Sequence, residues 1–276
     1  MSRLAPIFRF GGVLGVALGL ALGGCQDFSD MTASIAGQET ATKLPTDDAA
    51  LRAYADHWGK IYAERPGEKY ASINYARALR ALTRYKEAAA VMQTAAVKAP
   101  KDFQVLGAYG KALADNGDLM QARDVLSRSY SPDRPNWDFL SAQGSVADRL
   151  DDHERAQSFY RQALKIAPNQ PAVLSNLGLS FALSKQLPLA EQTLRHAASL
   201  PGADLRVREN FALVLALEGK FGEAVQVSER DMSPDQAASN VAAIREMIAQ
   251  NDSWRALQSG ARRKAATKTA DASPAG

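Results

Sequence analysis

The sequence predicts an all-α fold, a solenoid of antiparallel helix pairs in about five 34-residue units over residues 69–236, with a capping helix at each end. Three observations carry that prediction. Ala76, Gly110, Gly144, Gly178 and Ala212 recur every 34 residues. Ala88, Ala122, Ala156, Ala190 and Ala224 keep the same interval, 12 places behind the first column and with no slip. Prolines punctuate the unit ends at Pro66, Pro100, Pro135, Pro168, Pro201 and Pro234, where a residue without an N–H stops a helix. One alanine column could arise by chance in an alanine-rich chain, but two locked columns are much harder to obtain. The first lies midway along helix A and the second near the start of helix B, so small residues at both places let the two axes approach closely.

In chain order, Arg3 and Arg9 precede an apolar run from Phe10 to Leu22, too short to span a bilayer and of the right length for the core of a secretory signal, predicted over residues 1–24. The run ends in Leu22-Gly23-Gly24-Cys25, and Cys25 is the sole cysteine. This resembles the lipobox of bacterial lipoproteins, which implies cleavage before Cys25 and its lipidation. Several acyl chains, at about 0.8 kcal/mol per buried methylene, hold a protein to a membrane where one chain would not. Gln26 after the cysteine resembles an outer-membrane sorting address in a diderm bacterium, so a periplasm-facing location is expected. Residues 25–47 are polar and aperiodic and read as a flexible tether. Residues 48–66 carry Leu51, Tyr54, Ala55, Trp58, Ile61 and Tyr62 at helical spacing behind Asp47 and Asp48, and read as an N-terminal capping helix. The five units start near Lys69, Phe103, Trp137, Pro171 and Leu205. Residues 237–258 place Ala237, Val241, Ile244 and Met247 on one stripe, a C-terminal capping helix, and 259–276 read as a disordered tail.

Composition excludes several function classes. The net charge of +3 comes from the termini, where Arg3 and Arg9 stand at one end and Arg262, Arg263, Lys264 and Lys268 at the other; the segment between them is slightly acidic, which is no footprint for nucleic acid. The three histidines, His57, His153 and His196, have no partner at metal-ligand spacing. There is no Gly-x-Ser-x-Gly, no phosphate loop and no second cysteine. Carboxylate pairs such as Asp47-Asp48 and Asp151-Asp152 fall at a helix start and a turn, where capping accounts for them. No enzymatic activity, metal, cofactor or small-molecule substrate is expected.

Within the units, Asn74, Leu79, Tyr85, Glu87, Met92, Ala95 and Pro100 of the first, and Leu174, Asn176, Leu177, Phe181, Leu187, Leu194 and Ala197 of the fourth, resemble the tetratricopeptide repeat family. The family's usual Trp at the fourth place is replaced by Ser72, Leu106, Leu140, Leu174 and Arg208. The resemblance implies a concave protein-binding groove lined by helix A. Its N-terminal end would be polar and basic, with Asn74, Arg77 and Lys111; its C-terminal end would be apolar, with Leu179, Leu183, Leu213 and Leu217 flanked by Asn176 and Asn210. The three asparagines are expected to hold a partner's backbone. The cover of the apolar end is either a partner segment or the chain's own residues up to Leu257.

The lipobox, the lone capping helix, the degenerate units and the stretch from Asp231 to Ala242 together resemble the TadD family of tetratricopeptide lipoproteins, which serve tight-adherence (Flp) pilus assembly. That resemblance implies an outer-membrane-anchored, pilotin-like assembly factor whose partner is a secretin or another pilus component. The alternatives are a lipoprotein scaffold for another type IV pilus or for polysaccharide export, and a catalytic subunit whose site assembles only in a complex.

Overall fold

In a computed structural model, which describes residues 44–131, 133 and 135–250, the predicted periodicity becomes a regular alternation of helix A and helix B. The signal segment, Cys25, most of the tether and the tail therefore lie outside the described residues. Helix α1 (Asp48–Glu64) starts where Asp47 accepts the backbone N–H of Ala50 at 2.8 Å, and it ends just before Pro66. The five hairpins follow as α2 (Lys69–Ala81) with α3 (Tyr85–Lys98), α4 (Phe103–Asn116) with α5 (Leu119–Arg128), α6 (Trp137–Arg149) with α7 (His153–Ile166), α8 (Pro171–Leu183) with α9 (Leu187–Ser199), and α10 (Leu205–Leu217) with α11 (Phe221–Ser228). A last helix, α12, covers 234–250. These helices all belong to one compact unit, Pro45–Gly276.

The A helices begin on polar caps: Glu68, Asp102, Asn136 and Asp204 accept N–H groups of the first turn, while α8 starts with Pro171, whose missing N–H is harmless there. Every A helix ends in the same device. Thr83, Gly117, Asp151, Lys185 and Gly219, again 34 apart, have φ of 60°, 94°, 64°, 63° and 79°. The N–H of the next residue returns to a carbonyl five residues back: Arg84 to Leu79, Asp118 to Leu113, Asp152 to Ala147, Gln186 to Phe181 and Lys220 to Leu215, all at 2.8–2.9 Å. This left-handed cap reverses the chain into helix B. Gly117 and Gly219 enter this conformation without a Cβ in the way, whereas Thr83, Asp151 and Lys185 adopt it because the flanking helices hold them there. A β-branched residue is the most strained of the three. Thr83→Gly is accordingly expected to stabilise the chain by up to about 1 kcal/mol, strain relief outweighing glycine's added chain entropy, as read by urea denaturation.

The two small-residue columns do the packing work expected of them. An added Cβ on Gly110, Gly144 or Gly178 would lie 2.5 Å, 2.5 Å or 2.6 Å from Leu126, Tyr160 or Leu194 on helix B of the same hairpin. The alanines of the second column are all fully buried. One hydrophobic cluster runs through the first two hairpins up to Val146, and another takes over at Leu140 and Ala147 and continues to Val241, so α6 is the seam between them.

Both ends are closed by helices, as predicted, with one boundary corrected. Helix α1 buries Leu51, Tyr54, Ala55 and Trp58 and takes the place of a helix B against α2. Helix α12 begins at 234 rather than after 236. Ser233 and Gln236 cap one another there, the Gln236 side chain accepting the Ser233 N–H at 3.2 Å and the Ser233 hydroxyl accepting the Gln236 N–H at 3.4 Å, with Pro234 in the first turn. The early start is possible because α11 is only 8 residues long. Ala237 and Val241 are buried on the last hairpin, and the Arg245 guanidinium lies 5.1 Å from the centre of the Phe221 ring.

Candidate protein-interaction groove

Curvature follows from which helices meet. The backbone of each A helix also comes close to the A helix of the next hairpin, as α2 does to α4 and α8 to α10, whereas among the described residues no two B helices approach that closely and only long side chains bridge them. The A side is the shorter arc, so the shared face of α2, α4, α6, α8 and α10 is concave. The predicted groove residues are all carried by these A helices.

At its N-terminal end the charges are already matched within the stack. Lys111 donates to both oxygens of Asp138 at 2.8 and 2.7 Å, and Arg80 pairs with Asp115 at 2.6 Å. Arg149 donates to the carbonyl of Ala114, and Arg77 donates to Asn74 at 3.3 Å. The expected basic end thus acts as a ladder from one A helix to the next, because Arg80, Lys111 and Arg149 each find a carboxylate or carbonyl on a neighbouring A helix. The asparagines correct the prediction in the same way. Asn74 accepts the Tyr54 hydroxyl of α1 at 2.9 Å, and Asn176 and Asn210 donate to Ser141 and Ser175 of the preceding A helix at 3.2 and 2.9 Å. Side-chain amides expected to grip a partner's backbone are tied to the adjoining helix on the N-terminal side.

The ladder has one buried knot. Asp148 at the end of α6, with its side chain 9 % exposed, accepts the hydroxyls of Ser180 at 2.7 Å and Tyr160 at 3.0 Å and lies 2.9 Å from Nδ1 of His153. His153 Nε2 reaches Asp151 at 3.0 Å. Burial, then the adjacent carboxylate, pushes the Tyr160 phenol far above its ordinary range, so it stays a donor. Nothing in the spacing of these residues announced the knot, since they come from three helices.

The C-terminal end differs. Leu179 and Leu213 are half-buried on α8 and α10, and one turn later Leu183 and Leu217 are 57 % and 42 % exposed. Helix α12 packs against the hairpin and leaves both open. On the opposite, convex edge, Glu191 of α9 binds Lys220 at 2.7 Å and Arg195 at 2.6 Å, and Arg195 also reaches Glu223 of α11 at 3.0 Å. The Lys220 ammonium, then the Arg195 guanidinium, hold the Glu191 carboxyl down from 4.5 to about 2. A depressed folded-state value means stability that is present above the ordinary carboxylate range and lost as pH falls toward the folded value. Glu191→Gln is therefore expected to lose less stability than the parent between pH 5 and pH 3, the windows being set by about 4.5 and about 2, in paired urea titrations.

No group of three or more His, Cys, Asp or Glu side chains among the described residues is arranged to hold a metal, and none of the described helices is long and apolar enough to cross a membrane. A family model described as Tetratricopeptide repeat matches residues 73–137 and 108–171. Residues 73–171 carry tetratricopeptide repeats, and the stack as a whole has that solenoid fold. No curated protein sequence matches the chain. Among solved structures, the tetratricopeptide stack is similar to a monomeric IFIT1 mutant with m7Gppp-AAAA, at 11% identity and a TM-score of 0.59 over 71% of this chain and 50% of that one. It is similar to a chain of the APC/C hetero-tetramer Cut9-Hcn1 at 18% identity and 0.56, over 69% of this chain but only 39% of the other. A thermophilic tetratricopeptide protein of Thermus thermophilus, TTC0263, matches at 20% identity and 0.54 over 60% of this chain and 91% of its own. At these identities the likeness is one of fold.

Proposed function

We propose that this chain is a non-enzymatic assembly factor of a diderm cell envelope, held to the outer membrane by lipid on Cys25, whose tetratricopeptide groove grips an apolar segment of a tight-adherence pilus component such as its secretin. The observation that carries the binding half is the open pair Leu183 and Leu217, 57 % and 42 % exposed on the inner face of consecutive A helices, each preceded one turn earlier by a half-buried leucine. Apolar side chains aligned on a concave face are ready to take a partner's amphipathic helix or extended segment. The matched charges at the other end supply rigidity, leaving recognition to the last two hairpins. Support for the envelope half is the sequence Leu22-Gly23-Gly24-Cys25 behind an apolar run, and the resemblance to the TadD family.

The test uses exposed positions so that folding is spared. Leu183→Asp with Leu217→Asp is expected to abolish co-purification of the secretin or another pilus component, a loss of about 1.5–3 kcal/mol for each buried leucine forgone, with helical circular dichroism unchanged. Retained capture ends the groove reading. Palmitate labelling in cells is expected to mark the parent and not Cys25→Ser; an unlabelled parent ends the anchored reading and leaves the groove to stand by itself.

A further inference from the structure

The open leucines belong to a longer row. Leu183 stands ten residues after Val173 and Leu217 ten after Val207, and those valines open the buried stripes of α8 and α10, continued by Leu177 and Phe211. Helix α12 repeats the pattern. Ala237 and Val241 are its buried pair, and Met247 follows Ala237 by the same ten residues. With 3.6 residues to a turn, equal offsets set Leu183, Leu217 and Met247 at the same angle from the packed side of their helices. All three are open, at 57 %, 42 % and 64 % exposure. Helix α12, which follows α11 as the next A helix would, thus extends the apolar row instead of ending it.

Two features of the row select its occupant. The first is hydrogen bonding. An asparagine stands seven residues before each member, and all three are engaged: Asn176 donates to Ser141 at 3.2 Å, Asn210 to Ser175 at 2.9 Å, and Asn240 to the Met232 sulfur at 3.3 Å. The rest of the wall is helix, whose backbone groups pair internally. An extended segment laid there would bury its own N–H and C=O groups unpaired, whereas a helix brings its pairs with it. The second feature is charge. On α6 the corresponding place, ten residues after buried Phe139, is held by Arg149, which is exposed and donates to the Ala114 carbonyl. A guanidinium has five N–H donors, so this one can also meet an acid on the partner.

We infer that the occupant of the groove, on the reading proposed above, is an amphipathic α-helix of the partner lying along Leu183, Leu217 and Met247, with an acidic residue opposite Arg149. Packed helices stand about 8–10 Å apart, a distance that a helix climbs in about five to seven residues. Of those intervals only seven, close to two full turns, returns a side chain to the same face. The partner's apolar residues therefore recur every seven places, filled in at three and four, and the acid precedes the first of them by seven.

A synthetic peptide of that pattern, about 24 residues long so that it is helical, is the probe, titrated into the full chain in detergent. Methyl resonances of Leu183, Leu217 and Met247 are expected to shift together and saturate, with a dissociation constant on the order of ten micromolar. The same peptide with two central prolines, every leucine kept, is expected to bind at least about tenfold more weakly. Met247→Asp should weaken the intact peptide about tenfold, and Arg149→Glu about threefold or more. A peptide whose acid is exchanged for lysine should restore binding to Arg149→Glu, which a merely structural role for Arg149 would not do. Helical circular dichroism checks that both variants fold. Equal binding of the proline-broken peptide, no saturable binding of the intact one, or no effect of Met247→Asp overturns the helix while leaving the groove to its own test. Retained capture of the pilus component by Leu183→Asp with Leu217→Asp removes instead the groove reading on which the helix rests.

Discussion

Gly144→Ala is expected to destabilise the stack by about 1–3 kcal/mol, although alanine is the better helix former by about 1 kcal/mol. The new Cβ would lie 2.5 Å from the edge of the Tyr160 ring. That ring is 2 % exposed, and its hydroxyl is fastened to Asp148, so it has nowhere to turn without giving up a hydrogen bond. Overpacking therefore wins over propensity. Gly222→Ala is the matched control: it lies in α11, nothing stands within 4 Å of its Cβ, and it should gain up to about 1 kcal/mol. Urea denaturation of the two variants should move in opposite directions. If both gain stability, close helix approach is not what the 34-residue column preserves.

Asp148→Ala is expected to cost about 2–4 kcal/mol, the larger of the two effects. The carboxylate joins α6 to Tyr160 and His153 on α7 and to Ser180 on α8, and its loss leaves donors facing a low-dielectric joint with no acceptor. Asp151→Ala, whose carboxylate is 96 % exposed, should change stability by a few tenths of a kcal/mol at most. The location of the damage is as informative as its size. A solenoid is held by nearest-neighbour interfaces, so weakening the joint between the third and fourth hairpins should separate the unfolding of the two halves. Hydrogen exchange should then show amides of α8–α11 opening at lower free energy than those of α2–α5. Uniform loss of protection would mean that the knot is not the coupling element.

Much of this architecture was legible in the residues. The hairpins, both capping helices and the proline-marked ends follow from periodic small residues and local stop signals, since helix pairing within 34 residues is nearly a local matter. The start of α12 was misjudged because the capping pair Ser233 and Gln236 replaced the missing end of a shortened helix B. The groove was half legible. Its leucines stand half-buried or exposed on α8 and α10, whereas Asn74, Lys111, Asn176 and Asn210 have partners on neighbouring helices. A residue's place on a helix face says which way it points; whether a partner awaits it depends on a second helix.

The amino-acid sequence by itself determined the repeat, its length and the hairpin in every unit, because a column of glycine and alanine is a steric requirement met again at each turn of the stack. The tertiary structure alone decided which polar groups of the inner face are consumed in holding the stack together. Lys111 meets Asp138 27 residues on, Arg80 meets Asp115 35 residues on, and Ser180 meets Asp148 32 residues back. Those separations straddle the period without obeying it, since they depend on the pitch between neighbouring hairpins and on the reach of each side chain. Only once the hairpins are stacked does the face divide into a matched polar end and an open apolar one.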